Sequence, residues 1–169
     1  DLLKDKIVLV SGAGSGIGKA AALAYAECGA TVILMGRNVE RLEQVYDEIE
    51  QAGNPQAAIT PFDFIEANEE RYQELVNSIH KEFGRLDGLL NNASILGTLT
   101  PIQSYNLTTW NQVIQTNLNA QFALTKYCLP LLQEAHNSSI IFTSSSAGRK
   151  PYAYWGAYSV SKAATEALA

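Results

Sequence analysis

The chain has 169 residues, of which 47% are hydrophobic and 17% are charged, and its formal net charge is −5. This length and composition are typical of one globular domain with a buried core. The negative charge gives no electrostatic reason to expect a nucleic acid or an anionic membrane as partner. No apolar run approaches the roughly 18 residues of a membrane span, so a cytoplasmic protein is expected. Cys28 and Cys128 lie far apart in apolar sequence, which predicts two buried free thiols.

Strands and helices alternate along the chain. Short apolar, β-branched runs predict strands, and apolar residues three and four positions apart predict helices. The predicted strands cover residues 6–10, 31–35, 57–62, 86–91 and 139–144. The predicted helices cover residues 16–28, 38–51, 66–83, 108–132 and 157–169, with Thr108 or Thr109 as the cap of the fourth. Because the strands are apolar on both faces, we expect one α/β domain over residues 1–169: a Rossmann-type doubly wound parallel sheet with helices on both faces.

A glycine-rich loop joins the first strand to the first helix. The spacing G-x-G-x-x-G fails, because Ile17 stands at the third position counted from Gly12 and Gly14. The pattern Gly12-x-x-x-Gly16-x-Gly18 fits: the first glycine permits a tight turn, the second lets the backbone approach phosphates, and the third lets the helix pack closely. The helix N-terminus then offers free N–H groups to a pyrophosphate. A turn that binds nothing is the alternative. The residues expected to bind a dinucleotide here are Gly12, Ser15, Gly16, Ile17 and Gly18.

The end of the second strand distinguishes between the two nicotinamide dinucleotides. A site for NAD usually places Asp or Glu about 20 residues after the glycine loop, where it accepts from the ribose hydroxyls. This chain has Gly36-Arg37-Asn38 there. Arg37 cannot accept a hydrogen bond, but its guanidinium can bind a 2′-phosphate. The sequence therefore favours NADP over NAD, with a solvated arginine before a helix as the alternative.

Tyr158 and Lys162 stand one helical turn apart in the last predicted helix. A free tyrosine titrates near pH 10 and is a poor base at neutral pH, but a lysine on the same helical face favours the phenolate. This spacing occurs easily by chance in a chain with eight tyrosines. Here it follows a predicted strand that ends in Ser144-Ser145-Ser146, and strand ends of parallel sheets are where such folds bind ligands. A serine there can hydrogen-bond the same substrate oxygen that the tyrosine protonates.

These motifs, together with Asn91-Asn92-Ala93 and Asn117-Leu118-Asn119-Ala120, resemble those of the short-chain dehydrogenase/reductase family and, within it, the bacterial YciK-type oxidoreductases. The resemblance covers essentially the whole chain. It implies an NADP-dependent oxidoreductase that interconverts a small-molecule alcohol and a carbonyl. It also implies that Tyr158 is the general acid/base and one of the cofactor-binding residues, and that Lys162 promotes its ionisation and holds the nicotinamide ribose. Ser145, thirteen residues before the tyrosine, would orient the substrate.

The same resemblance implies roles for residues outside these motifs. Asn117 would be a catalytic residue that disturbs the long helix and holds a water linking the active-site lysine to solvent; a merely tolerated polar residue is the alternative. Asp63 would lie beside the adenine, and Asn91 would brace the central strand and the cofactor ribose, with Ala93 also at the cofactor. Ser94 stands where the family has glycine, and it either narrows the nicotinamide pocket or needs only a different local turn.

Further expectations concern the length of the natural protein, its oligomeric state, metal binding and alternative functions. Family members carry two more strands and a substrate loop after the catalytic helix, so we expect the natural protein to be longer than this chain. The apolar surface of the last two long helices predicts a homodimer or homotetramer. His80 and His136 have no partner at ligand spacing, so no metal site is expected. The main alternative function is a non-catalytic NADP-binding regulatory protein, followed by an epimerase or dehydratase that uses the cofactor transiently.

Overall fold

The computed structural model describes residues 2–169. Strands and helices alternate along the chain, and the strands form one parallel sheet. The strands are β1 (Ile7–Ser11), β2 (Thr31–Gly36), β3 (Ala58–Pro61), β4 (Gly88–Asn91) and β5 (Ser139–Phe142). The α-helices are α1 (Gly16–Glu27), α2 (Val39–Gln51), α3 (Glu69–Phe83), α4 (Leu107–Ile114), α5 (Ala120–Gln133), α6 (Ser146–Arg149) and α7 (Gly156–Leu168). The strand order is β3-β2-β1-β4-β5, and every neighbouring pair is parallel. The predicted fold class is therefore confirmed.

Helices cover both faces of this sheet, and the side chains of each strand alternate between the two faces. Leu9 of β1 packs with residues of α3 and α5, including Leu75 and Leu124. Its neighbours Val8 and Val10 belong to the opposite cluster, which includes buried residues of α1 and α2. The strand order reverses between β1 and β4, so a crevice opens between their carboxyl ends.

Asparagine side chains begin three of the helices. Asn38 and Asn68 cap α2 and α3 by accepting hydrogen bonds from the main-chain N–H groups of the third helical residue, each at 3.0 Å. The predicted cap of the fourth helix was wrong: Asn106 caps it, since its Oδ1 accepts from Thr109 N at 3.1 Å, so the cap lies two residues before Thr108 and three before Thr109. The same capping moves the start of α3 from residue 66 to Glu69.

The structure differs from the predicted elements in three further ways. The long predicted helix is divided by a π-helical turn, Gln115–Asn119, between α4 and α5, and the short helix α6 was not predicted. Strand β5, at the edge of the described sheet, was expected to be buried on both faces, but Ile141 is 50% exposed. Cys128 is buried as predicted, whereas Cys28 is only half-buried; both thiols are free. Within residues 2–169, every helix is too short or too polar to cross a bilayer.

Candidate active site

The glycine turn after β1 is built from three different uses of glycine. Gly12 and Gly16 have φ angles of 69° and 54°, in the left-handed region that favours glycine. A Cβ on Gly18 would lie 2.1 Å from the carbonyl oxygen of Gly12, so only glycine allows the helix to approach the turn. A Cβ on Gly16 would meet nothing within 4 Å, which leaves the outer side of the turn open. The roles that we predicted for Gly12 and Gly18 in the turn are confirmed.

A buried serine joins the two strand ends that border the crevice. Ser11 Oγ donates to Leu90 O at 3.2 Å and accepts from Asn92 N and Ala93 N at 2.9 and 3.1 Å. These three bonds tie the end of β1 to the end of β4 beyond the last paired residues of the sheet. Sequence reasoning missed this role, although Ser11 is the one polar residue that closes an otherwise apolar strand.

A cleft of about 180 Å³ opens beside the glycine turn, across the ends of β1, β2 and β3. Arg37 follows β2 on one wall. Asp63 lies after β3, where its Oδ1 accepts from Ile65 N at 2.9 Å and shapes the local turn. Five of the predicted cofactor-binding residues therefore share this cleft. They are Gly12, Ser15, Arg37, Asp63 and Ala93.

The other predicted cofactor residues do not line this cleft. Ile17 is 65% exposed on the outer side of the turn. Asn91 is fully buried, and its Nδ2 donates to Thr125 Oγ1 of α5 at 2.9 Å, so it braces β4 against that helix. Its Oδ1 is buried without a hydrogen-bond partner among the described residues. Contact between Asn91 and a cofactor ribose stays a prediction.

Asn117 lies in the π turn, where the resemblance implied a disturbed helix. Its side chain is fully buried and holds the loop after β4 by two hydrogen bonds: Oδ1 accepts from Ile95 N at 2.8 Å and Nδ2 donates to Ile95 O at 2.9 Å. Nδ2 also donates to Ser161 Oγ of α7 at 3.0 Å. The main-chain oxygen of Asn117 accepts from Thr165 Oγ1 at 3.3 Å. The predicted bound water remains a prediction, while the observed role is to join three segments.

Tyr158 and Lys162 lie one turn apart on α7, and the residue Lys162 is only 1% exposed. Lys162 Nζ donates to Thr143 O at 2.8 Å, just past the end of β5, and lies 5.7 Å from the centre of the Tyr158 ring. Burial lowers the pKa of Lys162 below its usual value, because the charged form loses hydration. Tyr158 is half-buried, whereas the lysine beside it is buried.

The three consecutive serines after β5 have different partners, which separates them by role. Ser144 Oγ donates to Glu166 Oε1 at 2.6 Å, and Arg149 Nε also donates to that carboxylate, at 2.8 Å to Oε2. These hydrogen bonds, together with the charge of Arg149, hold the pKa of Glu166 below its usual value. Ser146 is exposed. Ser145 is half-buried and accepts from Ala147 N at 3.2 Å, so its hydroxyl hydrogen is free to point elsewhere.

Ser94 occupies the position where the family has glycine without backbone strain. Among residues 2–169, only Asp5 and Tyr154 combine a side chain with a positive φ angle. Ser94 is exposed and lies on the cleft wall. The main chain at Ser94 therefore does not require glycine.

Sequence reasoning also missed the two hydroxyls of α7 that hold Asn117. Ser161 and Thr165 follow Tyr158 by three and seven residues, so they share one helical face, and both are fully buried. That spacing of polar residues on a buried face was the available signal. Residues 2–169 contain no group of three or more His, Cys, Asp or Glu side chains arranged to hold a metal ion.

The sequence and the fold of this chain are similar to those of known proteins. The family model for short-chain dehydrogenases matches residues 6–169. The uncharacterised oxidoreductase YciK of Escherichia coli K12 is 46% identical over 99% of this chain, and the chain spans 67% of its length. A 3β-hydroxysteroid dehydrogenase of Mediterraneibacter gnavus is 36% identical, and the chain spans 58% of it.

Solved structures agree with that result. A short-chain dehydrogenase from Pseudomonas syringae is 51% identical, with a TM-score of 0.96 over 99% of this chain and 68% of its own. One from Shigella flexneri, solved in complex with NADP, is 46% identical, with a TM-score of 0.97 over 99% of this chain and 70% of its own. The family model covers nearly all of the sequence, and the glycine turn, the π turn and the tyrosine-lysine pair all lie within it. This chain belongs to the short-chain dehydrogenase family.

Proposed function

We propose that this chain forms the nucleotide-binding and catalytic part of an NADP-dependent oxidoreductase that interconverts an alcohol and a carbonyl. The observation that carries the proposal is the position of the tyrosine-lysine pair. The ammonium of Lys162 is hydrogen-bonded just past the end of β5, at the same sheet edge as the glycine turn after β1. A proton-transfer pair and a dinucleotide cradle at one edge of a parallel sheet suit hydride transfer to or from a bound substrate.

The residues of the cleft fit NADP. Gly18 lets the N-terminus of α1 approach the turn, and the open side of Gly16 leaves room for phosphate oxygens. The first N–H groups of α1 have no partner within the helix and can donate to a pyrophosphate. Arg37 supplies a cation at the end of β2, where a site for NAD usually has a carboxylate. The NADP complex of the Shigella flexneri relative supports the same cofactor.

The chemistry of the site assigns one task to each catalytic side chain. When bound, NADPH supplies a hydride to the carbonyl carbon of the substrate. Tyr158 donates its phenolic proton to the carbonyl oxygen, which thereby becomes an alcohol. Ser145 donates a hydrogen bond to the same oxygen and fixes its direction. In the reverse direction the phenolate accepts the alcohol proton.

Lys162 stabilises the phenolate that Tyr158 becomes after it donates its proton. The ammonium is buried, so its field is weakly screened by water and acts on the ring 5.7 Å away. Its bond to Thr143 O holds the group in place. Asn117 positions the π turn against α7, and so it sets the distance between the loop after β4 and the catalytic helix.

The proposal is tested by measuring NADPH oxidation by the protein with a panel of linear, cyclic and aromatic carbonyls. Tyr158→Phe should reduce kcat/KM by about 10²- to 10⁴-fold, because a positioned acid/base contributes that much. The Kd for NADPH should stay within about twofold, since the lost hydroxyl serves the substrate. Tyr154→Phe is the matched control, because this neighbouring tyrosine is 59% exposed. A Tyr158→Phe enzyme with full turnover would refute the mechanism, and NADPH binding without any turnover would favour the regulatory alternative.

A homo-oligomer is the second part of this proposal. Phe122 and Leu129 lie seven residues apart on α5 and are 53% and 40% exposed, and Val160 of α7 is 48% exposed. Covering such apolar side chains with a second copy would remove them from water. Light scattering coupled to size-exclusion chromatography should give a dimer or tetramer. Phe122→Glu should lower that mass, and an unchanged mass would place the interface elsewhere.

A further inference from the structure

We propose that Arg41 is a second determinant of cofactor choice, and that it binds the 2′-phosphate of NADP together with Arg37. The inference rests on the proposed function and adds a residue to it. Helical spacing alone would place Arg41 on the charged outer face of α2. In the structure it lies on the wall of the same cleft as Arg37 and Ser15, next to the glycine turn.

The main chain fixes where the Arg41 side chain begins. Asn38 caps α2 and accepts from Arg41 N at 3.0 Å, so Arg41 is the third residue of the helix. A Cβ on Gly14 would lie 3.1 Å from Arg41 Cβ, closer than most real contacts. The glycine turn therefore packs directly on Arg41. This contact also explains Gly14, which the phosphate-binding pattern of glycines leaves without a role.

The charges around the cleft distinguish these two arginines from the others. The chain has five arginines, and Arg71, Arg85 and Arg149 each form an ion pair of 2.8 to 3.1 Å. Within residues 2–169, neither Arg37 nor Arg41 has a carboxylate within 4.0 Å. Two arginines on the cleft wall therefore carry charges that no ion pair balances.

The position of Arg41 is electrostatically unfavourable without an anion. The N-terminus of a helix carries a partial positive charge, so a cation in its first turn is disfavoured. Asp63 is the carboxylate on the cleft wall, and it already accepts from Ile65 N. A phosphate dianion between the two guanidinium groups would balance both charges and the helix end. NAD has a hydroxyl at that position, so the arrangement favours NADP.

Calorimetric titration of the protein tests this inference with four ligands. They are NADPH, NADH, adenosine 2′,5′-bisphosphate and adenosine 5′-monophosphate. Arg41→Gln keeps the stem that packs on Gly14 but removes the charge. It should raise the Kd for NADPH and for the bisphosphate on the order of tenfold and change the other two by less than about twofold. Lys81→Ala is the control, because it removes one exposed charge from α3, outside the cleft.

Two further variants sharpen the result. Arg41→Lys keeps the charge but loses the planar donor pair, so its Kd for NADPH should lie between those of the wild type and Arg41→Gln. Gly14→Ala should displace Arg41 and weaken NADPH more than NADH, and thermal unfolding shows whether each variant is folded. Equal loss for NADPH and NADH in Arg41→Gln, or no loss for either, would overturn the inference while Arg37 alone still explained NADP binding. If the wild type bound none of the four ligands, the proposed function would fail as well.

Discussion

The two ends of the candidate site are built in opposite ways. The glycine turn after β1 works by the absence of side chains: a Cβ on Gly18 would meet the carbonyl oxygen of Gly12 at 2.1 Å, while the space around Gly16 is open. The region between the π turn and α7 works by buried side chains, with Asn117, Ser161 and Thr165 joined by hydrogen bonds. The first binds by shape and main-chain groups, and the second positions catalytic groups by a polar network.

This difference predicts different responses to small substitutions. In the turn, the cost of adding a methyl group depends on the backbone angle and on the nearest atom. In the network, the cost of removing a hydroxyl depends on whether it has a partner, because a buried polar group left unpaired loses its hydration without compensation. The following substitutions test these rules.

Gly18→Ala should destabilise the protein by about 3 kcal/mol, because the new Cβ overlaps main-chain atoms of Gly12 that cannot move without opening the turn. Urea unfolding measures the change. Gly16→Ala is the matched control: it lies in the same turn at φ 54° with free space around it, so it should cost only about 1 kcal/mol for the left-handed backbone. Equal costs for the two variants would mean that the turn does not depend on close packing.

Ser161→Ala should cost about 2 kcal/mol, because it leaves a buried N–H of Asn117 without an acceptor. Ser159→Ala is a close control on the same helix. Ser159 is also buried, but its hydroxyl has no hydrogen-bond partner among the described residues. Its removal should leave stability unchanged or raise it by about 0.5 kcal/mol, since alanine also favours the helix. Equal losses in chemical denaturation would show that burial, and not the network, determines the cost.

Lys162→Met should stabilise the fold by about 1 kcal/mol at pH 7 while it abolishes turnover, because it replaces a buried charge with an apolar chain of similar length. The folded pKa of Lys162 is lowered, so the unfolded chain binds more protons. Wild-type stability should therefore rise with pH as the usual lysine value of 10.5 is approached. The variant should lack that rise. Thermal unfolding across this pH range measures both effects, and a less stable Met variant would contradict the assigned cost of burial.

Ser94→Gly should have the smallest effect, a loss of about 0.5 kcal/mol from the greater freedom of the unfolded chain. The sign is informative, because Ser94 has no left-handed backbone to relieve. A gain in stability on differential scanning calorimetry would mean that the serine is strained. The family glycine would then be the better residue in this chain too.

Sequence reasoning succeeded where one residue type has one physical role. Gly12 and Gly18 could be assigned because few other residues allow a left-handed turn or a contact without a side chain. The resemblance implied that Asn117 disturbs the long helix, and the helix is indeed disturbed there. The regular alternation of apolar runs was enough for the parallel sheet.

It failed where the role depends on a partner distant in sequence. Among Ser144, Ser145 and Ser146, the family spacing selected Ser145, and its role stays a prediction. The sequence could not show that Glu166 of α7 accepts a hydrogen bond from Ser144. Arg41 has the spacing of a solvent-facing residue, and only the packing of the glycine turn on it reveals the cleft. Asn106 was passed over as a helix cap because two threonines nearby suit the same task.

The hydroxyl of Ser11 has a consequence for how the protein receives its cofactor. Its oxygen donates one hydrogen bond and accepts two, and these bonds fix the separation of the ends of β1 and β4 before any ligand binds. The entropy lost in ordering these segments is therefore a cost of folding and not of association. Binding should proceed with little movement of the sheet edge, so that most of the intrinsic affinity of the phosphates for the turn is retained.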